Sequence, residues 1–432
     1  MLLDLVYLLA LLALLPWLVW RSVRTGRYRR GLAAKLLGRV RVNNPHRKPV
    51  AWVHAVSVGE VNLLGTLVPA FRRRHPGWHV VVSSTTDTGL AEARRRFPDL
   101  DVIAWPFDFS WAVGTALDAV RPSLVILTES ELWPNFLAAA RARKVPVVVV
   151  NARLSPRSAR RLKRVAGVAR RLFFRNVSRF AVQESDYAVR LEQLGVPATN
   201  LVVTGSIKYD GALRSRATPE TERLRELIGS PASLVLLAGS THAPEESIVL
   251  GVFARLRVRF PDSRLILVPR HPDRFEEVAR LVEASGLSFV RRSAVTSPLP
   301  EMPAVLLLDT VGELGAAWGL AGVGFVGGSL DGQRGGQSMI EPAGYGVPCV
   351  FGPHVWNFRD AARRLVEVGG AVTLKDAAEL EAALAQLLAD PGLRERMGVS
   401  ARELVRQQQG ATERTLAVID SVLTSPSLSR VA

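Results

Sequence analysis

Two series of short apolar runs, separated by amphipathic helical segments, constrain the fold of this chain most strongly. The first series predicts strands at 50–55, 79–84, 102–104, 124–128, 145–151, 179–183 and 201–204. After a polar stretch, a second series predicts strands at 234–238, 264–268, 288–291, 305–308, 322–326 and 348–351. Such alternation indicates parallel sheets covered on both faces, and therefore a two-domain, doubly wound α/β chain. Ligands of these sheets bind beyond the carboxyl ends of the strands, so we expect the chemistry in the loops that follow the runs.

The size and charge of the chain narrow its functional class. Its 432 residues are too many for one compact core and suggest two domains plus appendages. The formal net charge of +17 calls for a polyanionic neighbour, which leaves nucleic acid, phospholipid and a phosphorylated substrate open. The single cysteine, Cys349, excludes an intramolecular disulfide and is consistent with a reducing compartment.

The N-terminal segment predicts a membrane anchor. Residues 2–20 contain one charge, Asp4, and a helix of this length spans roughly 28 Å, close to the thickness of a bilayer core. A signal peptide and a buried helix are the alternatives, but a signal peptide has its basic residues before the apolar run rather than after it. The basic residues that follow the run are Arg21, Arg24, Arg27, Arg29, Arg30, Lys35, Arg39 and Arg41. They place the body of the protein on the cytoplasmic side, in contact with anionic lipids, with Trp17, Trp20 and Tyr28 at the interface.

A glycine-rich stretch in the second half predicts a phosphate loop. Residues 327–342 read GGSLDGQRGGQSMIEP, follow an apolar run at 321–326 and lead into a predicted helix from about Gln337 to Gly344. Glycines let the backbone approach a ligand closely, and the first N–H groups of a helix attract a phosphate. Glu341, about one turn inside this helix, is then placed to accept hydrogen bonds from sugar hydroxyls. The alternative is a surface loop that is rich in glycine only because it turns.

Acidic residues follow two predicted strands of the first half. Glu60 follows the strand at 50–55, and a carboxylate there suits a general base. The alternative is a charge that complements the dipole of the following helix. Glu129 and Glu131 follow the strand at 124–128. Glu131 is the better candidate for an active-site role, whereas Glu129 is either a supporting partner or solvent-exposed.

Basic residues follow strands farther along the chain. Lys208 lies where the first domain ends, and either reaches a phosphate or is an ordinary surface lysine. Arg270, directly after the strand at 264–268, offers a planar fork that binds phosphate more firmly than an ammonium group does. Small residues at 239–241 and the segment 309–314 complete the set of strand-end loops.

Taken in order, the motifs resemble one family. The first half carries SVGE at 57–60, ESELWPN at 129–135, NARLSPRS at 151–158 and TGSIKYD at 204–210. The second half carries STH at 240–242, VPRHPDRF at 268–275, DTVGEL at 309–314, FVGGSL at 325–330 and FGPHVWNF at 351–358. The chain resembles, from its N-terminal segment to about residue 409, the 3-deoxy-D-manno-octulosonic acid (Kdo) transferases of the lipid A pathway. These are membrane-anchored glycosyltransferases of the GT-B fold.

The resemblance implies transfer of Kdo from CMP-Kdo to a hydroxyl of a lipid A precursor, lipid IVA, with inversion at the anomeric carbon and without a metal or other cofactor. Glu60 matches the general base of the family, and Glu131 and Lys208 match positions that stabilise the transition state. The positions that match CMP contacts are Pro269, Arg270, Val311, Gly312, Glu313, Ser338, Met339, Ile340 and Glu341. Members usually read Gly-Gly-His-Asn-Pro-Leu-Glu in the glycine-rich stretch, whereas this chain has Gln337 and Ser338 in place of the histidine and asparagine.

The same resemblance gives the expected organisation. It implies a membrane anchor and basic arm at 1–42, an acceptor-side Rossmann-like domain at 43–212, a CMP-sugar-binding Rossmann-like domain at 213–410, and a C-terminal helix and tail at 411–432. The two domains are expected to face a crevice, the last helix to return to the first domain, and the body to lie at the cytoplasmic face of the inner membrane. Two alternatives remain: another enzyme of this fold, such as a nucleotide-sugar epimerase or a different membrane-associated glycosyltransferase, and a membrane-tethered binding protein without catalysis. Nucleic-acid binding is disfavoured because no stacking-aromatic module accompanies the basic residues.

Overall fold

The computed structural model describes residues 2–25, 32–212, 215–229 and 234–424. The chain divides into two compact units. Unit 1 comprises the residues up to Asp210 together with those from Gln409 onward, and unit 2 comprises Gly211–Gln408. Each unit is built on one seven-stranded parallel sheet. The predicted doubly wound α/β class is therefore confirmed.

The sheet of unit 1 has the strand order β3-β2-β1-β4-β5-β6-β7, in which every neighbouring pair is parallel. Its strands are β1 (Val50–His54), β2 (His79–Ser84), β3 (Asp101–Ala104), β4 (Leu124–Thr128), β5 (Val147–Ala152), β6 (Arg179–Val182) and β7 (Leu201–Val203). The helices up to β7 are α1 (Leu2–Thr25), α2 (Leu32–Leu37), α3 (Val58–Arg74), α4 (Asp87–Arg96), α5 (Ser110–Val120), α6 (Pro134–Ala142), α7 (Pro156–Lys163), α8 (Ala166–Leu172) and α9 (Ser185–Gln193). The strand order reverses direction between β1 and β4, which is where sheets of this class bind ligands.

Alternate residues of the central strands supply two separate cores. Val50 and Trp52 of β1 pack in one apolar cluster, whereas Ala51 and Val53 pack in another on the opposite face. Side chains of a strand point alternately to its two faces, so a strand that is covered on both sides must be apolar throughout. This requirement explains why the central strands read as continuous apolar runs.

The sheet of unit 2 has the order β10-β11-β9-β8-β12-β13-β14 and is parallel throughout. Its strands are β8 (Val235–Thr241), β9 (Arg264–Pro269), β10 (Phe289–Arg291), β11 (Val305–Leu307), β12 (Val323–Val326), β13 (Cys349–Phe351) and β14 (Ala371–Thr373). Its helices are α10 (Pro219–Ile228), α11 (Glu245–Arg259), α12 (Phe275–Ala284), α13 (Leu314–Leu320), α14 (Ile340–Gly344), α15 (Arg359–Glu367), α16 (Leu380–Ala389) and α17 (Pro391–Gln408). The order reverses between β8 and β12, so the loops after these two strands meet at the corresponding point of this sheet.

The last helix, α18 (Ala411–Leu423), belongs to unit 1, as the resemblance implied. Its buried residues Leu416 and Ile419 share an apolar cluster with Leu64 of α3. The Asp210 carboxylate accepts hydrogen bonds from the backbone N–H groups at the start of this helix, including that of Gly410 at 2.7 Å. The end of the TGSIKYD motif thus fixes where the chain re-enters unit 1.

Two polar side chains of α1, Asp4 and Tyr7, attach this helix to the rest of unit 1 by hydrogen bonds. Asp4 accepts hydrogen bonds from the backbone N–H of Ser110 at 2.8 Å and from Asn135 Nδ2 at 3.1 Å, and the Tyr7 hydroxyl donates to Asp108 at 3.0 Å. Among the helices of the described ranges, none has the length and apolarity that a membrane span requires. The predicted anchor is therefore not confirmed. Of the predicted basic arm and interfacial belt, the part formed by Arg27, Tyr28, Arg29 and Arg30 lies outside the described residues.

Candidate active site

Glu60 lies at the start of α3, in the loop that follows β1. Ser57 caps this helix, and its hydroxyl oxygen accepts a hydrogen bond from the backbone N–H of Glu60 at 3.4 Å. In return the Glu60 carboxylate accepts hydrogen bonds from the Ser57 hydroxyl at 3.1 Å and from the backbone N–H of Val56 at 3.0 Å. This reciprocal capping stabilises the helix start, where a negative charge also complements the dipole. The same contacts fix the orientation of the carboxylate that was predicted to act as a base.

Thr128, on the neighbouring strand β4, forms a hydrogen bond with Glu60 at the point where the strand order of the sheet reverses. The Thr128 hydroxyl, at the end of β4, lies 2.7 Å from Glu60 Oε2 and 3.0 Å from the carbonyl oxygen of His54. Its single proton serves one of these acceptors at a time. His54 itself is a poor base, because burial lowers its pKa to about 3 and its ring stacks on Trp105 at 3.9 Å between centroids.

Glu129 and Lys208 form an ion pair. Glu129 is 7% exposed, and its carboxylate lies 2.7 Å from Arg153 Nε and 3.2 Å from Lys208 Nζ. Glu129 is therefore a buried partner and not a solvent-exposed residue. Its φ of +54° is a left-handed conformation that a side chain adopts only at a cost of roughly 1–2 kcal/mol. The surrounding contacts thus hold both charges at the end of β4.

Glu131 is half-buried and close to two other carboxylates. Burial, and next the negative charges of Glu60 and Glu129, raise its pKa to about 6. A carboxyl group whose pKa lies near neutrality can gain or lose a proton during a reaction, and perturbed groups of this kind concentrate in active sites. Unit 1 therefore brings together Glu60, Glu131 and Lys208, the three residues that the sequence predicted as catalytic.

Asn151 was not predicted as part of this site. It ends the apolar run of β5 with a φ of +53° and is fully buried. Its Oδ1 accepts the backbone N–H of Ile207 at 3.1 Å, which fixes the segment that carries Lys208. Within the described part of the chain its buried Nδ2 has no hydrogen-bond partner. An asparagine directly after an apolar run was the available signal, because asparagine tolerates the left-handed conformation better than most residues.

In unit 2, the Glu245 carboxylate accepts hydrogen bonds from backbone N–H groups of the glycine-rich loop. This carboxylate is 1% exposed and accepts hydrogen bonds from the backbone N–H groups of Gly328 at 2.6 Å, Ser329 at 2.9 Å and Leu330 at 3.1 Å. A fourth comes from the N–H of His242 at 3.0 Å. The sequence assigned a phosphate to the N–H groups at the start of the following helix, and the N–H groups of Gly328, Ser329 and Leu330, earlier in the loop, are already bonded to this carboxylate. A buried carboxylate that joins β8 to β12 takes the place of the anion.

The helix after the loop begins later than predicted. The backbone N–H of Gln337 still donates to the carbonyl of Gly327 at 3.1 Å, and α14 starts only at Ile340. Glu341 therefore lies in the first turn of α14 rather than one turn inside it, and its side chain is exposed. The side chains of Met339 and Ile340 are buried in the core, at 0% and 2% exposure. Only their backbone atoms can meet a ligand.

Arg270 lies at the end of β9. Its backbone N–H donates to the carbonyl of Thr241 at 3.0 Å, while its side chain is exposed and the preceding Pro269 is buried. Its guanidinium takes part in no ion pair with any residue that the structure describes. Desolvation by the surrounding protein raises the pKa of the Glu341 carboxyl and the charge of Arg270 acts to lower it, so these two side chains lie within electrostatic range of each other. A guanidinium group without an ion-pair partner can bind a phosphate.

The segment from Val311 to Glu313 forms an exposed turn followed by a fixed carboxylate. Val311 is 76% exposed, and Gly312 has a φ of +98°, which glycine adopts without strain. The Glu313 carboxylate lies 2.9 Å from Arg292 Nη2 and also accepts a hydrogen bond from the Thr310 hydroxyl. The contact positions predicted from the sequence thus lie at or after the ends of β9, β11 and β12 of one sheet.

Comparison with solved structures defines the class of the fold. The chain superimposes on UDP-GlcNAc 2-epimerase from Neisseria meningitidis bound to UDP-GlcNAc with a TM-score of 0.58 and 14% identity, over 87% of this chain and 100% of that one. At this identity the similarity shows the fold alone, a two-domain α/β architecture of the GT-B kind.

Comparison of sequences identifies the family. Residues 25–211 match the family model described as 3-deoxy-D-manno-octulosonic-acid transferase (kdotransferase). The chain is 34% identical to the 3-deoxy-D-manno-octulosonic acid transferase of Haemophilus influenzae, over 93% of both chains. It is 38% identical to that of Bordetella pertussis, over 88% of both. The chain therefore belongs to the Kdo transferase family and is a glycosyltransferase.

Proposed function

We propose that this protein transfers Kdo from CMP-Kdo to a hydroxyl of the lipid A precursor lipid IVA, with inversion at the anomeric carbon. Membership of the Kdo transferase family supports the transferred sugar. The observation that carries the mechanism is Glu60, a carboxylate held at the reversal point of the unit 1 sheet by Ser57, Val56 and Thr128. A base fixed in this way suits deprotonation of an acceptor hydroxyl.

In the proposed step the acceptor hydroxyl gives its proton to Glu60 as its oxygen attacks the anomeric carbon of Kdo. Glu60 Oε1 accepts one hydrogen bond, from Ser57, and a carboxylate oxygen has room for a second. The bond between the anomeric carbon and the phosphate oxygen breaks, and CMP leaves with the bonding electron pair. A single displacement on the face opposite the leaving group gives inversion and needs no enzyme nucleophile.

Glu131 and Lys208 are proposed to stabilise the transition state of this displacement. Lys208 is held by Glu129, so its ammonium group is oriented before substrate binds. A charge that is fixed in advance stabilises a transition state better than one that must reorganise. The raised pKa of Glu131 allows it to share a proton with a reacting oxygen near neutral pH.

The nucleotide is proposed to bind unit 2. The unpaired guanidinium of Arg270 supports contact with the CMP phosphate, and the exposed Glu341 supports hydrogen bonds to the ribose hydroxyls. Pro269, the turn Val311–Gly312–Glu313, and the backbone from Ser338 to Ile340 complete the proposed contacts. The expectation that no metal is required remains a prediction.

The test mixes the purified protein with CMP-Kdo and lipid IVA and measures the release of CMP. We expect release that depends on the acceptor. Glu60→Gln should lower kcat by about 10²- to 10⁴-fold, the usual contribution of a general base, without changing the affinity for CMP. The exposed Glu192→Gln is the matched control and should behave as wild type. A folded wild-type sample that releases no CMP on addition of lipid IVA would exclude the proposed function, and an active Glu60→Gln variant would exclude the base.

We also propose that the protein works at the cytoplasmic face of the inner membrane, in contact with anionic lipids. Leu5, Leu9 and Leu12 of α1 are more than half exposed, at 54%, 58% and 63%, whereas Asp4 of the same helix is bound to unit 1. Exposed apolar side chains in a row support contact with a lipid surface. Co-sedimentation with phosphatidylglycerol vesicles should fall strongly in the double variant Leu9→Glu, Leu12→Glu. Equal sedimentation of both proteins would contradict this role of α1.

A further inference from the structure

Four positively charged or basic side chains gather where the loops after β8, β9 and β12 meet. We define this cationic cluster as His242, His271, Arg270 and Arg334. The rings of His242 and His271 lie 5.2 Å apart between centroids, and Gln337 Nε2 lies 3.4 Å from His242 Nε2. The cluster stands at the point where the strand order of unit 2 reverses, which is the ligand-binding position of this class of sheet.

Gly328 forms the floor of the cluster. A β-carbon on this glycine would lie 3.3 Å from His242 Cδ2, 3.4 Å from Arg334 Cβ and 3.4 Å from Gln337 Nε2. Three side chains from two separate loops therefore converge above one bare stretch of backbone. The loop tip that carries Arg334 is held in place, since Asn357 Nδ2 donates to the carbonyl oxygen of Arg334 at 2.8 Å.

The positive charge of this cluster is compensated only in part, because the carboxylate of Glu341 acts on Arg270 and that of Asp273 acts on His271. Burial lowers the pKa of His242 to about 4, and the charges that lower it further are those of Arg334, His271, Arg270 and Arg274. Arg274 is neutralised by Glu246 at 2.6 Å and Glu277 at 2.7 Å. Arg270 and Arg334 have no ion-pair partner within the ranges that the structure describes. Like charges that are gathered without counter-ions repel one another, and a bound anion relieves this repulsion.

One acid close to the cluster in sequence, Glu245, does not face the arginines. Glu245 follows His242 by three residues, but its carboxylate points into the loop and accepts four backbone N–H groups. Gln337 carries no charge. Among the side chains that surround Gly328, the permanent positive charge therefore comes from Arg334.

We propose that Arg334, together with His242 and Gln337, binds the carboxylate of the sugar acid, while Arg270 binds the phosphate of the nucleotide. This inference rests on the proposed function, because it takes CMP-Kdo as the donor. An octulosonic acid of this kind carries a carboxylate on its anomeric carbon, and in its CMP conjugate the same carbon carries the phosphate, so two anionic groups are attached to one atom. A site for that donor needs two cations that are close together but separate. The cationic cluster supplies two unpaired guanidinium groups, and an amide and an imidazole beside one of them.

The experiment measures the affinities of CMP and CMP-Kdo for the full-length protein by isothermal titration calorimetry, in the absence of acceptor. CMP has the phosphate but not the carboxylate, so its affinity should depend on Arg270 and not on Arg334. Arg334→Gln should weaken CMP-Kdo binding by about ten- to a hundredfold, the usual effect of losing a hydrogen bond to a charged group, and leave CMP binding within about twofold. Arg334→Lys should recover part of the loss, since it restores the charge but not the planar fork.

Two controls make the result specific. Arg270→Gln should weaken both ligands, and the exposed Arg280→Gln, which also removes one positive charge from unit 2, should weaken neither. Unchanged CMP binding shows that the Arg334 variants are folded. Equal loss of CMP and CMP-Kdo in Arg334→Gln, or no loss of either, would overturn the carboxylate site while transfer by the wild type left the proposed function intact. A wild type that binds CMP but not CMP-Kdo would overturn both proposals.

Discussion

Removal of the Glu245 carboxylate should release the glycine-rich loop from the rest of unit 2. The two oxygens of this side chain each accept two backbone N–H groups, from His242 and Gly328 on one oxygen and from Ser329 and Leu330 on the other. Glu245→Ala leaves these four donors without an acceptor in a position that is 1% exposed. Glu245→Gln keeps one oxygen but turns an NH₂ donor toward two of the N–H groups.

The magnitude follows from these contacts. A buried donor that loses its acceptor costs about 1–3 kcal/mol, and water that enters the vacated space recovers part of that loss. Burial raises the pKa of Glu245, against the effect of the four hydrogen bonds, so removing the charge also relieves some desolvation. We therefore expect Glu245→Ala to lower the free energy of unfolding of unit 2 by about 3–5 kcal/mol, as for other broken buried networks, and Glu245→Gln by about half as much.

Hydrogen exchange gives the most direct measurement. In the wild type the amides of Gly328, Ser329 and Leu330 should exchange slowly, because each is bonded to a buried carboxylate. In Glu245→Gln they should lose protection while amides of β9 keep theirs, and urea unfolding should show the loss of stability. The exposed Glu283→Gln is the control and should change stability by no more than about 0.5 kcal/mol. Unaltered exchange at these three amides in both Glu245 variants would refute the reasoning.

Three further outcomes are expected in unit 1. Thr128→Val removes the hydroxyl 2.7 Å from Glu60 Oε2 and should lower kcat/KM for CMP-Kdo by about tenfold without loss of thermal stability; an unchanged kcat/KM would show that Glu60 is held without it. Because the folded state raises the pKa of Glu131 from 4.5 to about 6, the stability associated with its protonated form is lost as the pH rises through this range. Glu131→Gln should then stabilise unit 1 by about 1 kcal/mol at about pH 8, after allowance for solvent screening, and by almost nothing at about pH 4, and urea unfolding that gives equal gains at both pH values would contradict this assignment. Asp210→Ala removes the acceptor for the N–H groups that begin α18 and should destabilise unit 1 by about 1–2 kcal/mol in the same assay, whereas wild-type stability would mean that other contacts hold this helix.

Strands were predicted best from the sequence where both faces of the strand are buried, because such a strand must be apolar throughout. β2 and β4 coincide with the predicted ranges 79–84 and 124–128, since these strands lie inside the sheet of unit 1. β14 was missed because it is a three-residue strand at the edge of its sheet, with Thr373 exposed.

The composition of the candidate site could be predicted only in part. Short motifs place Glu60, Glu131 and Arg270 directly after strands, which sequence order alone reveals. The acceptor of the glycine-loop N–H groups could not be found in this way. Glu245 and Gly328 are 83 positions apart, and they meet only because β8 is the neighbour of β12 in the folded sheet. A contact that depends on the order of strands in the sheet cannot be found in a local sequence pattern. The loop sequence alone therefore predicted a bound phosphate, whereas part of the loop binds the carboxylate of Glu245.

The two units separate the charges that the proposed reaction requires. Unit 1 presents the carboxylates of Glu60, Glu129 and Glu131, and unit 2 presents the cationic cluster. Within unit 1 the Lys208 ammonium lies 3.2 Å from the Glu129 carboxylate, so these two opposite charges pair with each other. Arg270 and Arg334 form no ion pair within the described residues, and two carboxylates at the start of α11, Glu245 and Glu246, are committed to backbone N–H groups and to Arg274. Charge that is withheld from internal ion pairs in this way remains available for an anionic donor, and the base in unit 1 remains available for a hydroxyl proton.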